Sequence, residues 1–463
     1  MSLRRVLRSS LAYLGLAAVA ASVATADPQE VVLLHPDFCP WNPLGPLRQR
    51  EAPRCRPLID DEITSDAGSW PPWTHTPVCS RADTDSAGGG GNGNGTKYCA
   101  FTNAAFRQWH GVSFVATPQA VAGLSPAARM ADPAAHWHPA RRFEQTQQQQ
   151  HGDGGPPYAV VAIPGKGKGV VARRFVPAGE VIMVDHPAVI ASMDFPHAVG
   201  PEDGRRLLGS AVGQLPVRRE VLVLTRGDSG GGGEGGAGDG VVERIMRTNT
   251  FGVEIEGELY MGLYTNISRV NHACNPNGFT RFHPTDLTMD VSAVRDIQPY
   301  EEITISYIPL GLNSQARAWS IRDWGFECAC ALCSSPRDDE LSDSYRARLA
   351  QLRGELQERQ KTPGGSHEEL VALAAELLEI IEIEGLRPHL GEHYEALSDA
   401  FAVRAEADGG GGAWGDAVRY RRLALDAWVL YGGEDHVHVP NVRRRLGELE
   451  RLKIEHAGGA RNT

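Results

Sequence analysis

Asn271-His272-Ala273-Cys274-Asn275-Pro276-Asn277 decides what this 463-residue chain can be. A run so dense in Asn, His and Cys, following Leu263-Tyr264-Thr265-Asn266-Ile267-Ser268, offers amide and imidazole groups able to read a purine edge, plus one thiolate. Alone it could equally be a polar turn around a core histidine. Two later stretches change the balance: Glu301-Glu302-Ile303-Thr304-Ile305-Ser306-Tyr307, then Trp324-Gly325-Phe326-Glu327-Cys328-Ala329-Cys330-Ala331-Leu332-Cys333. The C-x-C-x-x-C cluster supplies three thiolates, one short of a tetrahedral zinc site. Cys274 is the remaining cysteine outside an amino-terminal group of four, and a site built from Cys274, Cys328, Cys330 and Cys333 would pin the tail against the Asn-His segment. Disulfides among these four are the competing arrangement. Cysteines packed this tightly suit a shared metal better than separate bridges, and four thiolates leave no open position for a hydrolytic water.

Upstream, Gly165-Lys166-Gly167-Lys168-Gly169 lies between two short apolar runs. Glycine tolerates positive φ and lets a ligand approach the backbone, but a plain hairpin explains it as well. No G-K-[ST] follows and no helix follows, so neither a phosphate-cradling loop nor a dinucleotide fingerprint is present. Around it, Tyr158–Ile163, residues 169–175 and residues 181–184 read as strands, and residues 201–225 as helix. A Gly-rich insert covers 229–240, and residues 259–307 return to short strands and loops. After Pro336 the periodicity becomes helical: Leu349, Leu352 and Leu356 share a face, Ser366-x-x-Glu369 is a capping box, and Gly385 is a stop. Residues 413–431 and 442–453 make two more helices.

The chain opens with Arg4, Arg5 and Arg8, an apolar run over 11–23 and Ala24-Thr25-Ala26, the pattern of a cleaved secretory signal too short to span a bilayer comfortably. The mature chain is expected to carry no transmembrane span, and the secretory pathway is the expected location, with an intracellular one as the alternative. Cys39, Cys55, Cys79 and Cys99 lack any C-x-x-C and suit two disulfides, of which three pairings are possible. Residues 27–155 show no sustained helical or strand period, and Asn94-Gly95-Thr96 is a sequon. The net charge of −11 argues against non-specific nucleic-acid binding and is compatible with a basic protein partner.

In this combination and order, the three motifs resemble the SET-domain protein lysine methyltransferases, specifically the SET-and-MYND branch. There an N-H-S-C-x-P-N segment, a G-E-E-I/L-T-I-x-Y strand and an F-x-C-x-C-x-x-C tail follow one another. The resemblance implies a mostly β SET fold of small curled sheets with a pseudoknot, followed by an all-α tetratricopeptide-like domain. It divides the chain into a signal at 1–26, a Cys/Pro/Gly-rich extension at 27–155, a SET domain at 156–309 with an insert at 195–258, a zinc-binding tail at 310–336, and helices at 337–456.

The implied activity is methyl transfer from S-adenosylmethionine to a lysine amine of a protein or peptide, histone or not. A non-catalytic secreted binding or scaffold module is the alternative. Lys166, Gly167 and Lys168 would line the cosubstrate site, largely through backbone groups. Asn271 and His272 would hold its adenine and amino-acid portions, with Ser268 on the same wall. Tyr307 would be the catalytic tyrosine, Phe326 would pack on the adenine and close the lysine channel, and the four cysteines would hold structural zinc. Asn249 would support the pocket. The chain departs from the pattern at Ala273, where the branch has Ser, and at Tyr300, where it has a turn Gly. It also has no cysteine between Cys99 and Cys274 from which to build a MYND finger.

Overall fold

The computed structural model describes residues 72–81, 96–124, 155–224, 240–361, 365–408, 411–434 and 436–459. The signal at 1–26, Cys39, Cys55, the sequon at Asn94 and most of the Gly-rich insert lie outside them. In chain order the strands are β1 (Val78–Arg81), β2 (Lys97–Asn103), β3 (Val112–Ala116), β4 (Tyr158–Ile163), β5 (Gly167–Ala172), β6 (Val181–Asp185) and β7 (Pro187–Ser192). They continue with β8 (Thr250–Ile255), β9 (Glu258–Tyr264), β10 (Asn271–His272), β11 (Gly278–His283), β12 (Thr288–Ala293) and β13 (Glu302–Ile305). The longer helices are α1 (Pro201–Gly213), α2 (Val241–Asn249), α3 (Ser314–Ile321), α4 (Pro336–Lys361), α5 (His367–Glu384), α6 (Leu390–Asp408), α7 (Gly411–Tyr431) and α8 (His438–Gly459). No described helix is long and apolar enough to cross a membrane.

Among the described residues, three sheets lie before the helical region, in the orders β1-β2-β3-β7-β9-β8, β10-β13-β5-β4 and β11-β12-β6. The first corrects an expectation. Residues 27–155 show no strand period, yet β1, β2 and β3 lie there, and β3 pairs in parallel with β7. A boundary at 155 therefore cuts through one sheet. The reason is burial on both faces. Phe101, Val112 and Phe114 enter one core with Val253, Tyr260 and Tyr264, while Ala100, Val115, Met261 and Leu263 enter a second core with Leu207, Leu208 and Ile245. A strand covered on both sides has no polar face to alternate with its apolar one. Cys79 and Cys99 sit opposite one another on β1 and β2 and form a disulfide.

The helical region has its own core around Leu352, Leu377, Phe401 and Trp414. The capping box at α5 is complete: Ser366 accepts from the Glu369 backbone N–H while the Glu369 carboxylate accepts from the Ser366 N–H. Gly385 closes α5 at φ +67°, and a Cβ there would lie 2.4 Å from Asn275 Oδ1. The stop glycine thus also lets the helical region approach the Asn-His loop. A second contact uses Arg281, whose guanidinium donates to Asp290 at 2.7 and 2.9 Å and reaches the Val429 and Leu430 carbonyls at the end of α7. Burial alone would raise the Asp290 carboxyl, but Arg281 and His283 outweigh it and hold it below the usual carboxylate range.

Tyr300 is 84% exposed and sits at φ +68°, a left-handed conformation that favours glycine. Its ring makes no core, so only the backbone strain is at stake. Replacing Tyr300 with Gly is expected to stabilise the protein by about 0.5–1 kcal/mol, since the relief of left-handed strain exceeds the added chain entropy of glycine. Chemical denaturation at matched conditions measures this.

Candidate functional site

β10 is two residues long and runs parallel to β13, with Asn271 opposite Thr304 and His272 opposite Ile305. So short a parallel pair cannot hold itself, and side chains complete it. Asn277 is 1% exposed, and its Oδ1 accepts from the Thr304 N–H at 2.8 Å. Its Nδ2 donates to the Glu302 carbonyl at 2.8 Å and to Glu301 Oε1 at 3.0 Å. At the other end, His272 Nδ1 accepts from the Tyr307 backbone N–H at 3.0 Å. The neutral ring therefore carries its proton on Nε2, which lies 3.3 Å from Cys274 Sγ and donates to that sulfur.

Cys274, Cys328, Cys330 and Cys333 are all reduced, and their sulfurs lie within 4.8 Å of one another. Cys274 Sγ is 3.8 Å from Cys328 Sγ and 3.5 Å from Cys333 Sγ. A disulfide requires about 2.05 Å, whereas four sulfurs at about 2.3 Å from a tetrahedral cation stand about 3.8 Å apart. The donor set fits a metal ion.

The cluster fixes Phe326, two residues before Cys328, in an aromatic group around Tyr307. Ring centroids from Tyr307 are 5.3 Å to His272, 6.2 Å to Trp324 and 6.4 Å to Phe326. Trp324 is buried; Tyr307 and Phe326 are partly buried. The Tyr307 hydroxyl donates to the Val270 carbonyl at 2.7 Å.

On the opposite edge, β13 pairs with β5, which brings in the glycine-lysine hairpin. Positive φ at Gly165 and Gly167 closes the turn, and Lys166 and Lys168 are exposed. Lys166 Nζ meets Glu302 Oε2 at 2.7 Å, and the other oxygen of Glu302 accepts from Asn271 Nδ2 at 2.9 Å. A Cβ on Gly169 would lie 2.6 Å from Asn271 Nδ2, so only glycine admits this approach.

The structure thus brings Lys166, Asn271, His272, Tyr307 and Phe326 into one neighbourhood with the cysteines. Ser268 is turned elsewhere: its hydroxyl lies 2.6 Å from the Tyr264 carbonyl and 2.9 Å from that of Asn249, bracing the turn at Ile267–Arg269. The Asn249 amide donates back to Ile245. Asn277, Glu302 and Trp324 stand inside the quoted motifs, but the sequence alone gives none of them a role.

With that geometry in view, residues 167–308 match the SET domain family. A SET and MYND domain-containing protein of Dictyostelium discoideum is 36% identical over 103 residues, 20% of this chain and 30% of that protein. Histone-lysine N-methyltransferase SMYD3 of Homo sapiens is 40% identical over 83 residues, 18% of this chain and 19% of that protein. Histone-lysine N-methyltransferase set5 of Schizosaccharomyces pombe is 28% identical over 196 residues, 42% of this chain and 56% of that protein. The chain therefore spans less than two thirds of each of these relatives.

Truncating Asn277 to Ala leaves the buried Thr304 N–H and Glu302 carbonyl without their partners. The expected loss is about 2–4 kcal/mol of stability, more than one exposed hydrogen bond would give. Denaturant titration of the variant against wild type reads it directly.

Proposed function

Because residues 167–308 are a SET domain, we propose that the protein is a protein-lysine N-methyltransferase with S-adenosylmethionine as methyl donor. The observation that carries the proposal is the single neighbourhood formed by Lys166, Asn271, His272, Tyr307 and Phe326. Lys166 and Asn271 suit the charged amino-acid end of such a donor, and the glycine at 169 keeps the adjoining backbone bare. When bound, the donor supplies an electrophilic methyl group on a sulfonium.

The chain's own residues align and desolvate the target. Tyr307, with its proton directed to Val270, offers oxygen lone pairs to the lysine amine and orients it. The aromatic group of Tyr307, Trp324 and Phe326 excludes water and favours the neutral, nucleophilic amine over the ammonium. Positioning of this kind lowers the barrier without a dedicated base. The thiolate cluster is read as a structural zinc site whose task is to hold Phe326 against His272. The substrate class is a lysine-bearing protein segment, with histone tails as the first candidates because relatives carry the name histone-lysine N-methyltransferase. The disulfide Cys79–Cys99 supports passage of the chain through an oxidising compartment.

Two experiments test this. Purified protein incubated with labelled S-adenosylmethionine and a histone and peptide mixture is expected to transfer methyl groups, and Tyr307→Phe to lower kcat about tenfold to hundredfold, a barrier change of about 1.4–2.7 kcal/mol. Cosubstrate binding without Tyr307-dependent transfer points instead to a non-catalytic SET module. Elemental analysis is expected to find about one zinc ion per chain, and chelation to lower the melting temperature; a metal-free protein of unchanged melting temperature refutes the zinc assignment.

A further inference from the structure

Glu301, just before β13, and Glu302, its first residue, have different surroundings. Successive strand residues point to opposite faces, and Glu301 is engaged by Arg295 at 2.6 Å, the Gln298 N–H at 2.9 Å and Asn277 at 3.0 Å. Glu302 is turned to the other side, where it meets Lys166 and Asn271 together. We propose that Glu302 is a positioning residue that sets the Asn271 amide and the Lys166 ammonium for the amino-acid end of the methyl donor. This rests on the donor assignment made above.

An ionised carboxylate can only accept hydrogen bonds. The Asn271 atom 2.9 Å from Glu302 Oε1 must therefore be the amide nitrogen, and Oδ1 is the end left to accept from a ligand. Without the carboxylate the amide is free to turn over and present N–H groups where an ammonium should sit. Lys166 is one-third exposed on a turn, and the 2.7 Å ion pair is what gives its flexible side chain a fixed position. A zwitterionic amino acid carries one negative and one positive group side by side. Lys166 meets the first, and the Asn271 carbonyl with the negative charge of Glu302 meets the second. The close packing at Gly169 keeps Asn271 and Glu302 in register, because any side chain there would push both apart.

The test separates the amino-acid end of the ligand from its nucleoside. S-adenosylhomocysteine carries both; 5′-methylthioadenosine lacks the amino-acid group. Calorimetric titration of Glu302→Gln is expected to weaken S-adenosylhomocysteine binding about tenfold while leaving 5′-methylthioadenosine within about twofold of wild type. In turnover the same variant raises KM for S-adenosylmethionine with kcat little changed, the signature of lost uniform binding. Lys166→Met, on an exposed turn, is expected to give the same selective loss and serves if Glu302→Gln does not fold. Equal weakening of both ligands marks Glu302 as merely structural and overturns the inference, as does unchanged S-adenosylhomocysteine binding in both variants. Wild-type protein that binds neither ligand overturns the donor assignment itself, and this inference with it.

Discussion

The site depends on one crossing, residues 271–277 laid alongside residues 302–307. Two residues of parallel pairing give too few backbone hydrogen bonds to persist in water. The buried amide of Asn277 closes one end by reproducing, with a side chain, the pattern of a further strand residue. The imidazole of His272 closes the other by accepting the Tyr307 N–H. Between these two clamps lie Asn271, Cys274 and the start of the Tyr307 loop. Their mutual distances are consequences of the crossing, since the segments are separated by some twenty-five residues of chain.

The crossing is then held from two sides. Cys274 ties it to the tail at Cys328, Cys330 and Cys333, and His272 donates to the same sulfur, so the histidine serves both the strand end and the thiolate cluster. On the far side Gly385 sits against Asn275, and Arg387 donates to the Val294 carbonyl. Arg281 adds a buried charge between β12 and the end of α7. A carboxylate as buried as Asp290 is tolerable only with partners in place, and the same guanidinium that neutralises it caps the terminal carbonyls of α7. The helical region is therefore docked through specific polar contacts on strands adjacent to the site.

Much of the site could be read in the sequence because its chemistry demands residue types that nothing else replaces. Three thiolates need a fourth, and Cys274 is where the structure puts it. Tyr300 read as a departure from a turn glycine, and its positive φ is the physical form of that departure. What could not be read is instructive in each case. β2 and β3 are buried on both faces and so lack alternation. Helix α6 packs against α4 and α7 and buries Leu397, Ala400, Phe401, Ala402 and Ala405, a broad face made largely of alanines whose apolar signal is weak. Gly385 announced a helix end but not the loop packed against it. Glu302 resembled any charged residue on a strand, and only the register of β13 with β5 and β10 reveals which carboxylate faces the hairpin.

The hydrogen bond of Tyr307 also constrains how the proposed reaction can run. Its hydroxyl proton points at the Val270 carbonyl oxygen, 2.7 Å away. Surrendering that proton would set a phenolate against a carbonyl oxygen at contact distance, an unfavourable approach of two negative dipole ends in a partly buried place. The tyrosine is thus built to accept rather than to abstract. In the proposed reaction a lysine ammonium entering the aromatic group would lose its proton to water, assisted by desolvation and by the positive charge of the donor, both of which disfavour a second cation. On the proposed reading, selectivity would come from shape and charge exclusion, and the phenol oxygen would be the group that aims the amine.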